Sequence, residues 1–551
     1  MRLMTKRSDM TAFIRRGDSD SERAASVLRE SGSLLFRRYD VDAEKRNADA
    51  AVYFSGKSSV PQVFVGSYPI GGAEDLEQLW RTRKLRDIAH AVASEGLDID
   101  APSDDELAAG AEDIPFTAHI PPSDGTHSAD PEQWPILHFY KDFFGFWPHT
   151  FVYLHHWPEA YKRFVYCHNM ATIGTAKEVL GSDILCAVGY ATSNAHGCNY
   201  CQVHAVSTMG DSSMRAVEQL RMARIGQRNA DNPFDEYLLS LADLASMSSL
   251  NQVPDHYLQR LRRLAEDSEH APVGVNAQVM SVALVSAAFG FLNVFNDLVG
   301  MEIEGAWAVS AQERLDIDAG RHGASSDNNP DNLSHPLPSG GPTAQEMIDT
   351  YASNIGDATA YMKRHFGIVP PWLPTFPEQL QPLHTALYAE TMRQQHASRI
   401  SAELKHLIAY VSHVEKQHPD LAATEASIAH HVAGDKERTI RRLKHAFAIA
   451  SGRGGNPDLF TEAEHAALRL AYLSAQLPLI TPRRFVQPVM DNFDAGECIE
   501  LFTVCGIASL VQRFAAIIRP VPNPILVEFM AAHRLPMDAA SMRFPLPHDL
   551  A

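Results

Sequence analysis

The segment Gly197-Cys198-Asn199-Tyr200-Cys201-Gln202-Val203-His204 decides how the rest of the chain is read. It follows an apolar helical run from Ile184 to Thr192 and a short break at Ser193-Asn194-Ala195-His196. The spacing places both cysteines at a helix start. There the N-terminal partial positive charge favours a thiolate, and two intervening residues permit a reducible disulfide. His204, three residues beyond Cys201, falls on the same helix face and can take or return a proton. Thiolate attack on a peroxide oxygen, followed by resolution of the sulfenic acid by the neighbouring thiol, uses these parts at this spacing. Two other readings are a zinc site completed by His204 or His196, and a pair of inert core cysteines. No second CxxC closes a tetrahedral site, so no metal is expected.

Working outward, the 551 residues divide by composition. Residues 1–95 alternate short β-like and helix-like stretches: Thr11 to Arg16, Ser21 to Glu30, Leu34 to Val41, Val63 to Val65, and Leu76 to Lys84. They predict a small α/β domain. Residues 96–134, with Asp104-Asp105-Glu106 and Pro121-Pro122-Ser123-Asp124-Gly125, read as an acidic linker. Residues 316–344 have the same character and read as a second linker. Between and after them, 135–315 and 345–551 read as two all-helical domains. Phe144-Gly145-Phe146-Trp147-Pro148 recurs 222 residues on as Phe366-Gly367-Ile368-Val369-Pro370, and Ser182 to Tyr190 matches Glu403 to Tyr410 at a shift of 220. A third match, Leu239 to Leu244 with Leu468 to Leu473, keeps the same order, which argues for duplication.

Lys and Arg number 48 against 67 Asp and Glu, a net charge of −19, which excludes nucleic acid or an anionic membrane as the main partner. Six cysteines are too few for a disulfide framework at this length and read as an intracellular set. Met1 to Asp9 is followed by no apolar run of signal-peptide length, so the expected location is the cytoplasm. Pro272 to Asn296 carries no charge, yet Asn276, Gln278, Ser281, Ser286 and Asn293 interrupt it. A buried core helix is expected there, not a membrane span. Cys167, Cys186, Cys498 and Cys505 lie in apolar helical contexts and are expected to be buried. The 26 histidines include His155-His156 and His430-His431, read as ordinary helix or boundary residues.

The Gly-Cys-x-Tyr-Cys segment with its following histidine resembles the redox branch of the alkyl hydroperoxidase D and carboxymuconolactone decarboxylase family. The similarity spans roughly residues 135–310, including Met209-Gly210 and Phe291-Leu292-Asn293-Val294-Phe295-Asn296, and more distantly 345–520. It implies all-helical domains, an oligomer, and a thiol-dependent peroxidase using Cys198, Cys201 and His204. By the same resemblance Cys201 is the peroxide-attacking thiol and Cys198 the resolving partner facing the reductant; the sequence alone does not order them. Many redox members carry a relay glutamate twelve residues before the first cysteine. That position is Cys186 here, and Asp183, one turn earlier, is the substitute. In the second copy Cys198 falls on His418 and Cys201 on Leu421, so that copy has no redox pair.

Ser59-Val60-Pro61-Gln62-Val63-Phe64-Val65 followed by Gly71-Gly72-Ala73-Glu74-Asp75-Leu76 resembles the second half of a glutaredoxin, within the thioredoxin-like fold. The resemblance implies a cis proline and a glutathione site at Val60, Pro61, Gly71, Gly72 and Glu74. The redox motif falls on Asp18-Ser19-Asp20-Ser21, so both cysteines are absent and the domain has no dithiol or monothiol chemistry of its own. It is then a glutathione-binding adaptor, a docking module or a relic kept for stability. For the whole chain the expected function is peroxide reduction, with no cofactor beyond glutathione or a dithiol reductant. The alternatives are a thiol-disulfide oxidoreductase without peroxidase activity, a lyase acting by proton transfer, or a redox-gated binding protein.

Overall fold

The computed structural model describes residues 10–31, 36–95, 102–229, 231–271, 274–326, 332–395 and 398–550. The chain is mostly helical, with one small mixed sheet near its N-terminal end. It divides into two compact units. One comprises Met1–Ile114, His406–Phe493 and Pro524–Ala551; the other comprises Pro115–Lys405 and Asp494–Asn523.

The first unit opens with β1 (Met10–Ile14), α1 (Ser19–Glu30), β2 (Phe36–Asp40), α2 (Lys45–Ser55), β3 (Gln62–Val65), β4 (Tyr68–Gly71), α3 (Ala73–Arg81) and α4 (Lys84–Glu95). The strand order is β2-β1-β3-β4, with β1 parallel to β2 and antiparallel to β3. Alternation along the strands sorts the two faces. Ala12 and Val63 join Leu28, Leu76 and Ile88, while Phe13 and Phe64 join Ala50 and Leu107. Leu107 belongs to α5 (Asp104–Ala111), whose start is closed by a capping box between Ser103 and Glu106. The stretch 96–134 is therefore not a linker throughout: an apolar residue every few positions, Leu107, Phe116 and Ile120, is fully buried. Residues 96–101, like Leu34 and Met1 to Asp9, lie outside the described residues.

Along the chain there follow α6 (Trp134–Phe144), α7 (His149–Leu154), α8 (Pro158–Arg163), a π-helical continuation Phe164–Thr172, and α9 (Ile173–His196). Then come α10 (Asn199–Ser207), α11 (Asp211–Arg224), α12 (Glu236–Leu250), α13 (Tyr257–Glu266), α14 (Val275–Val299), α15 (Gly305–Leu315), α16 (Ala344–Ile355), α17 (Ala358–Phe366) and α18 (Gln381–Met392). After α19 (Ala402–Glu415), the helices α20 (Pro419–Val432), α21 (Lys436–Ser451), α22 (Glu462–Ser474) and α23 (Arg483–Asn492) belong to the first unit. The next helix, α24 (Ala495–Ile518), belongs to the second, and α25 (Pro524–Ala532) and α26 (Ala539–Arg543) to the first. The expected single domain 345–551 is thus shared between the units, because α24 packs along α14.

That packing is close. A Cβ on Gly506 would lie 2.7 Å from the Phe291 ring, and one on Gly290 would lie 2.6 Å from Cγ of Arg513. Both α14 and α24 are long and apolar enough to cross a membrane, and both are mostly buried. The helix before the cysteine pair runs unbroken through Ser193 to His196 and ends at Gly197 in the left-handed conformation; its irregularity lies earlier, at Gly181. Residues 316–344 are also more than a linker. Asn332 hydrogen-bonds both the backbone N–H and the carbonyl of Trp147, and His322 and Leu333 are buried.

In the first unit, buried charges hold the C-terminal segment. Arg543 pairs with Asp75 and Glu415, and Lys57 donates to Glu415 at 3.0 Å. Arg453, also buried, acts on the same Glu415 carboxylate, so three cations face the two carboxylates and hold Glu415 ionised.

Candidate active site at the cysteine pair

All parts of this site belong to the second unit. Cys198 is the N-cap of α10, and its Sγ accepts the backbone N–H of Cys201 at 3.4 Å. Both cysteines are buried and unbonded to each other as free thiols. Their surroundings differ. Cys201 lines a cavity of about 490 Å³ walled by Phe139, Phe143, Phe144, Phe151, Phe289 and Leu292; Cys198 does not. The resemblance implies that Cys198 faces the reductant; the two sulfurs are about equally buried, at 1% and 2% exposure, and of the two Cys201 is the one at the cavity.

On the cavity side, Asn296 from α14 donates its Nδ2 to Cys201 Sγ at 3.2 Å, and its Oδ1 accepts from Thr150 at 3.0 Å. His204 also lines the cavity and stacks on Tyr200 with ring centroids 4.2 Å apart. Its Nε2 lies 2.6 Å from Oε2 of Glu304, the N-cap of α15. The other carboxylate oxygen accepts from the Tyr200 hydroxyl at 3.0 Å and the His149 backbone N–H at 2.8 Å. Burial alone would raise the Glu304 carboxyl, but the neighbouring His204 and His149 outweigh it and bring it down to about 2. Glu304 is thus an ionised, fully buried carboxylate facing His204.

Behind Cys198 lies a second histidine and carboxylate. His322 Nε2 stands 4.0 Å from Cys198 Sγ and 2.8 Å from Asp297 Oδ1, while its Nδ1 faces the Met301 carbonyl at 2.9 Å. Both ring nitrogens meet acceptors, so both carry protons. Burial opposes that charge, but the bond to Asp297 and the proximity of Cys198 outweigh it and raise His322 to about 10. The opposite oxygen of Asp297 is 3.3 Å from His196 Nε2, and His196 Nδ1 accepts from Arg513 at 2.9 Å. Burial pushes the Cys198 thiol well above its ordinary range, with Cys201 and Asp297 adding to the effect and His322 opposing it.

His322 reaches this place because residues 318–325 lie across the start of α10. Asn199 Nδ2 donates to the Asp318 carbonyl at 2.9 Å, and Ser325 N–H donates to the Ile303 carbonyl at 2.8 Å. Gly320, at φ +54°, passes so near Asn199 that a Cβ would sit 2.6 Å from its side chain. A polar, glycine-containing stretch is what this close approach requires, and composition alone reads it as a linker.

Asp183 is not brought to the pair. It is exposed, and its carboxylate accepts from Ser212 at 2.6 Å. Asp183 lies at the start of the helical segment that follows the kink at Gly181, on a face away from the cavity that Cys186 lines. Glu304 supplies the carboxylate that sequence spacing sought at Asp183. In the first unit, Val60 and Pro61 precede β3 across a cis peptide, Gly71 ends β4, and Gly72 and Glu74 open α3, with Glu74 exposed. Asp75, in the same turn and paired with Arg543, lies over Gly71. Asp18 caps α1 by accepting the Ser21 N–H at 2.7 Å.

Three potential metal-ligand atoms, from Cys198, Asp297 and His322, lie within 4.8 Å of one another. In the observed hydrogen bonding, His322 has no lone pair to offer: a metal would have to displace its Nε2 proton. No family model, curated protein or solved structure matches the chain.

Proposed function

We propose that the protein is a thiol-dependent peroxidase that reduces an apolar organic hydroperoxide at Cys201 and resolves the product with Cys198. The observation that carries this reading is the wall of the cavity. A cysteine sulfur, a side-chain amide donating to it and a histidine backed by a buried carboxylate face one largely apolar space. His204 takes the Cys201 proton, and the Asn296 amide stabilises the thiolate. The thiolate attacks the terminal peroxide oxygen: an S–O bond forms, the O–O bond breaks, and the alkoxide leaves with the proton returned by His204. Cys198 then attacks the Cys201 sulfenic acid. The S–S bond forms, and the displaced hydroxide departs as water with the Cys198 proton. Two equivalents of a monothiol such as glutathione, or one of a dithiol, reopen the disulfide.

The helix succession supports a tandem arrangement similar to the alkyl hydroperoxidase D family. Gly145 and Gly367 both close helices in the left-handed conformation, Cys198 and His418 are both N-cap residues of a later helix, α10 and α20, and α14 and α24 are the long helices of the two proposed copies. The strand order β2-β1-β3-β4 supports a thioredoxin-like N-terminal domain. Consumption of cumene hydroperoxide and hydrogen peroxide with dithiothreitol tests the function. Wild type is expected to turn over, with Cys201→Ser and Cys198→Ser each losing at least 100-fold, as for removal of a covalent participant. Turnover that survives both substitutions would overturn the reading and point to proton-transfer chemistry.

A further inference from the structure

We infer that His322, held by Asp297, is the proton donor and acceptor of Cys198, so that each sulfur of the pair has its own histidine and carboxylate: His204 with Glu304 for Cys201, and His322 with Asp297 for Cys198. The inference rests on the reading of Cys198 and Cys201 as a redox pair. It goes beyond that reading by assigning a separate acid to the reductive half of the cycle.

The geometry separates the two sets. His204 and Cys201 line the cavity, whereas His322 and Cys198 do not. A reductant thiolate entering through the cavity meets Cys201 Sγ first. Its sulfur bonds to Cys201, the S–S bond breaks, and Cys198 departs with the electron pair. A thiolate at Cys198 would be buried at 1% exposure, so it needs a proton on leaving. The Cys201 backbone N–H is nearer, at 3.4 Å, but gives up no proton; the Nε2–H of His322, 4.0 Å away at the outer limit for a hydrogen bond to sulfur, carries one that can be transferred. After transfer, His322 keeps its Nδ1 proton on the Met301 carbonyl and regains the Nε2 proton from solvent.

The charged and titratable groups facing this dyad are Asp297 from α14, His196 from α9, Arg513 from α24, Cys201 and Tyr200 from α10, with the Tyr200 ring centroid 5.7 Å from that of His322, and Arg321, whose guanidinium donates to the Asp297 backbone carbonyl. Asp297 lies between two proton-bearing rings and is held well below the usual carboxylate range. Burial opposes this, but the bonds to His196 and His322 prevail. His196 accepts from Arg513 at Nδ1, so its proton sits on Nε2, toward Asp297. Asp297, His196 and Arg513 are therefore positioning residues, and His322 alone touches the reacting sulfur.

The test separates the half-reactions. The oxidised protein is mixed with dithiothreitol across pH, and disulfide opening is followed by stopped flow, corrected for the reductant's thiolate fraction. Removing a general acid typically costs 10²–10⁴-fold, so H322Q is expected to open about 100-fold more slowly at neutral pH. The wild-type rate should fall as pH rises through the imidazolium titration, and H322Q should show no such fall. In a Cys198→Ser background, adding H322Q should change sulfenic acid formation at Cys201 by less than about threefold, whereas adding His204→Gln should slow it by about 100-fold. Asp297→Asn, which keeps the side-chain shape, should move disulfide opening in the same direction as H322Q, and near-ultraviolet circular dichroism checks the fold of both. The inference is overturned if H322Q opens at the wild-type rate, if it slows both halves equally, or if the purified protein holds one zinc that H322Q loses. If the wild-type pair never forms a disulfide, the redox reading itself fails, which is a different result from a cycling disulfide indifferent to His322.

Discussion

The Asn296 amide and the Cys201 sulfur are joined by a hydrogen bond of 3.2 Å at the wall of an apolar cavity. A donor aimed at a developing thiolate in a site with little water contributes about 2–3 kcal/mol. Asn296→Ala is therefore expected to slow Cys201 oxidation by roughly 30- to 100-fold, measured as single-turnover thiol loss at a fixed hydroperoxide concentration. Asn296→Asp should be slower still at neutral pH, because a carboxylate there opposes the thiolate.

Glu304 makes the site a source of acid sensitivity. Its folded pKa of about 2 lies below the ordinary 4.5, so its stabilisation is complete above pH 4.5 and is lost as pH falls toward 2. That difference corresponds to on the order of 3 kcal/mol. Glu304→Gln should lower the denaturation midpoint at pH 7 and flatten the fall in stability between pH 4.5 and 2, as read by urea melts at each pH.

The apolar walls predict substrate preference. Leu292→Trp narrows the cavity while leaving Cys201, His204 and Asn296 unsubstituted. Turnover with cumene hydroperoxide should drop about tenfold or more relative to hydrogen peroxide, the scale on which a filled apolar pocket discriminates. Equal loss for both peroxides would count against the cavity as the binding site.

How much of this was legible in the sequence follows from distance along the chain. Cys198, Cys201 and His204 lie within one helical turn or two, so spacing alone placed them on one face. Gly145 and Gly367 each announce a helix end, and alternation along Ala12-Phe13 and Val63-Phe64 sorts the sheet faces. Glu304 and His322 reach the pair from 100 and 124 residues away and leave no periodic signature near it. His322 was hidden further by composition: the stretch that carries it is polar because it must pass close over Asn199, and polarity reads as a linker. Asp183 was misplaced because spacing along a helix does not say which face is covered: Cys186 lines the cavity, and Asp183, on the same helical segment, is exposed.

The crossing of α14 and α24 has little room. Gly506→Ala adds a Cβ 2.7 Å from the Phe291 ring, which is stacked on Phe164 with centroids 4.3 Å apart and has little freedom to shift. Overpacking of this kind costs about 1–3 kcal/mol. The measurement is a urea denaturation midpoint; no loss of stability would mean that the helices separate easily.

The central claim is that Cys201 meets the peroxide and Cys198 resolves it. One equivalent of cumene hydroperoxide, added to the reduced protein and followed by a sulfenic-acid trap and mass spectrometry, tests it most directly. The account predicts a Cys198–Cys201 disulfide in wild type, a trapped sulfenic acid at Cys201 in Cys198→Ser, and no oxidation of Cys198 in Cys201→Ser. A sulfenic acid trapped at Cys198, or no oxidation of either sulfur in wild type, would contradict it.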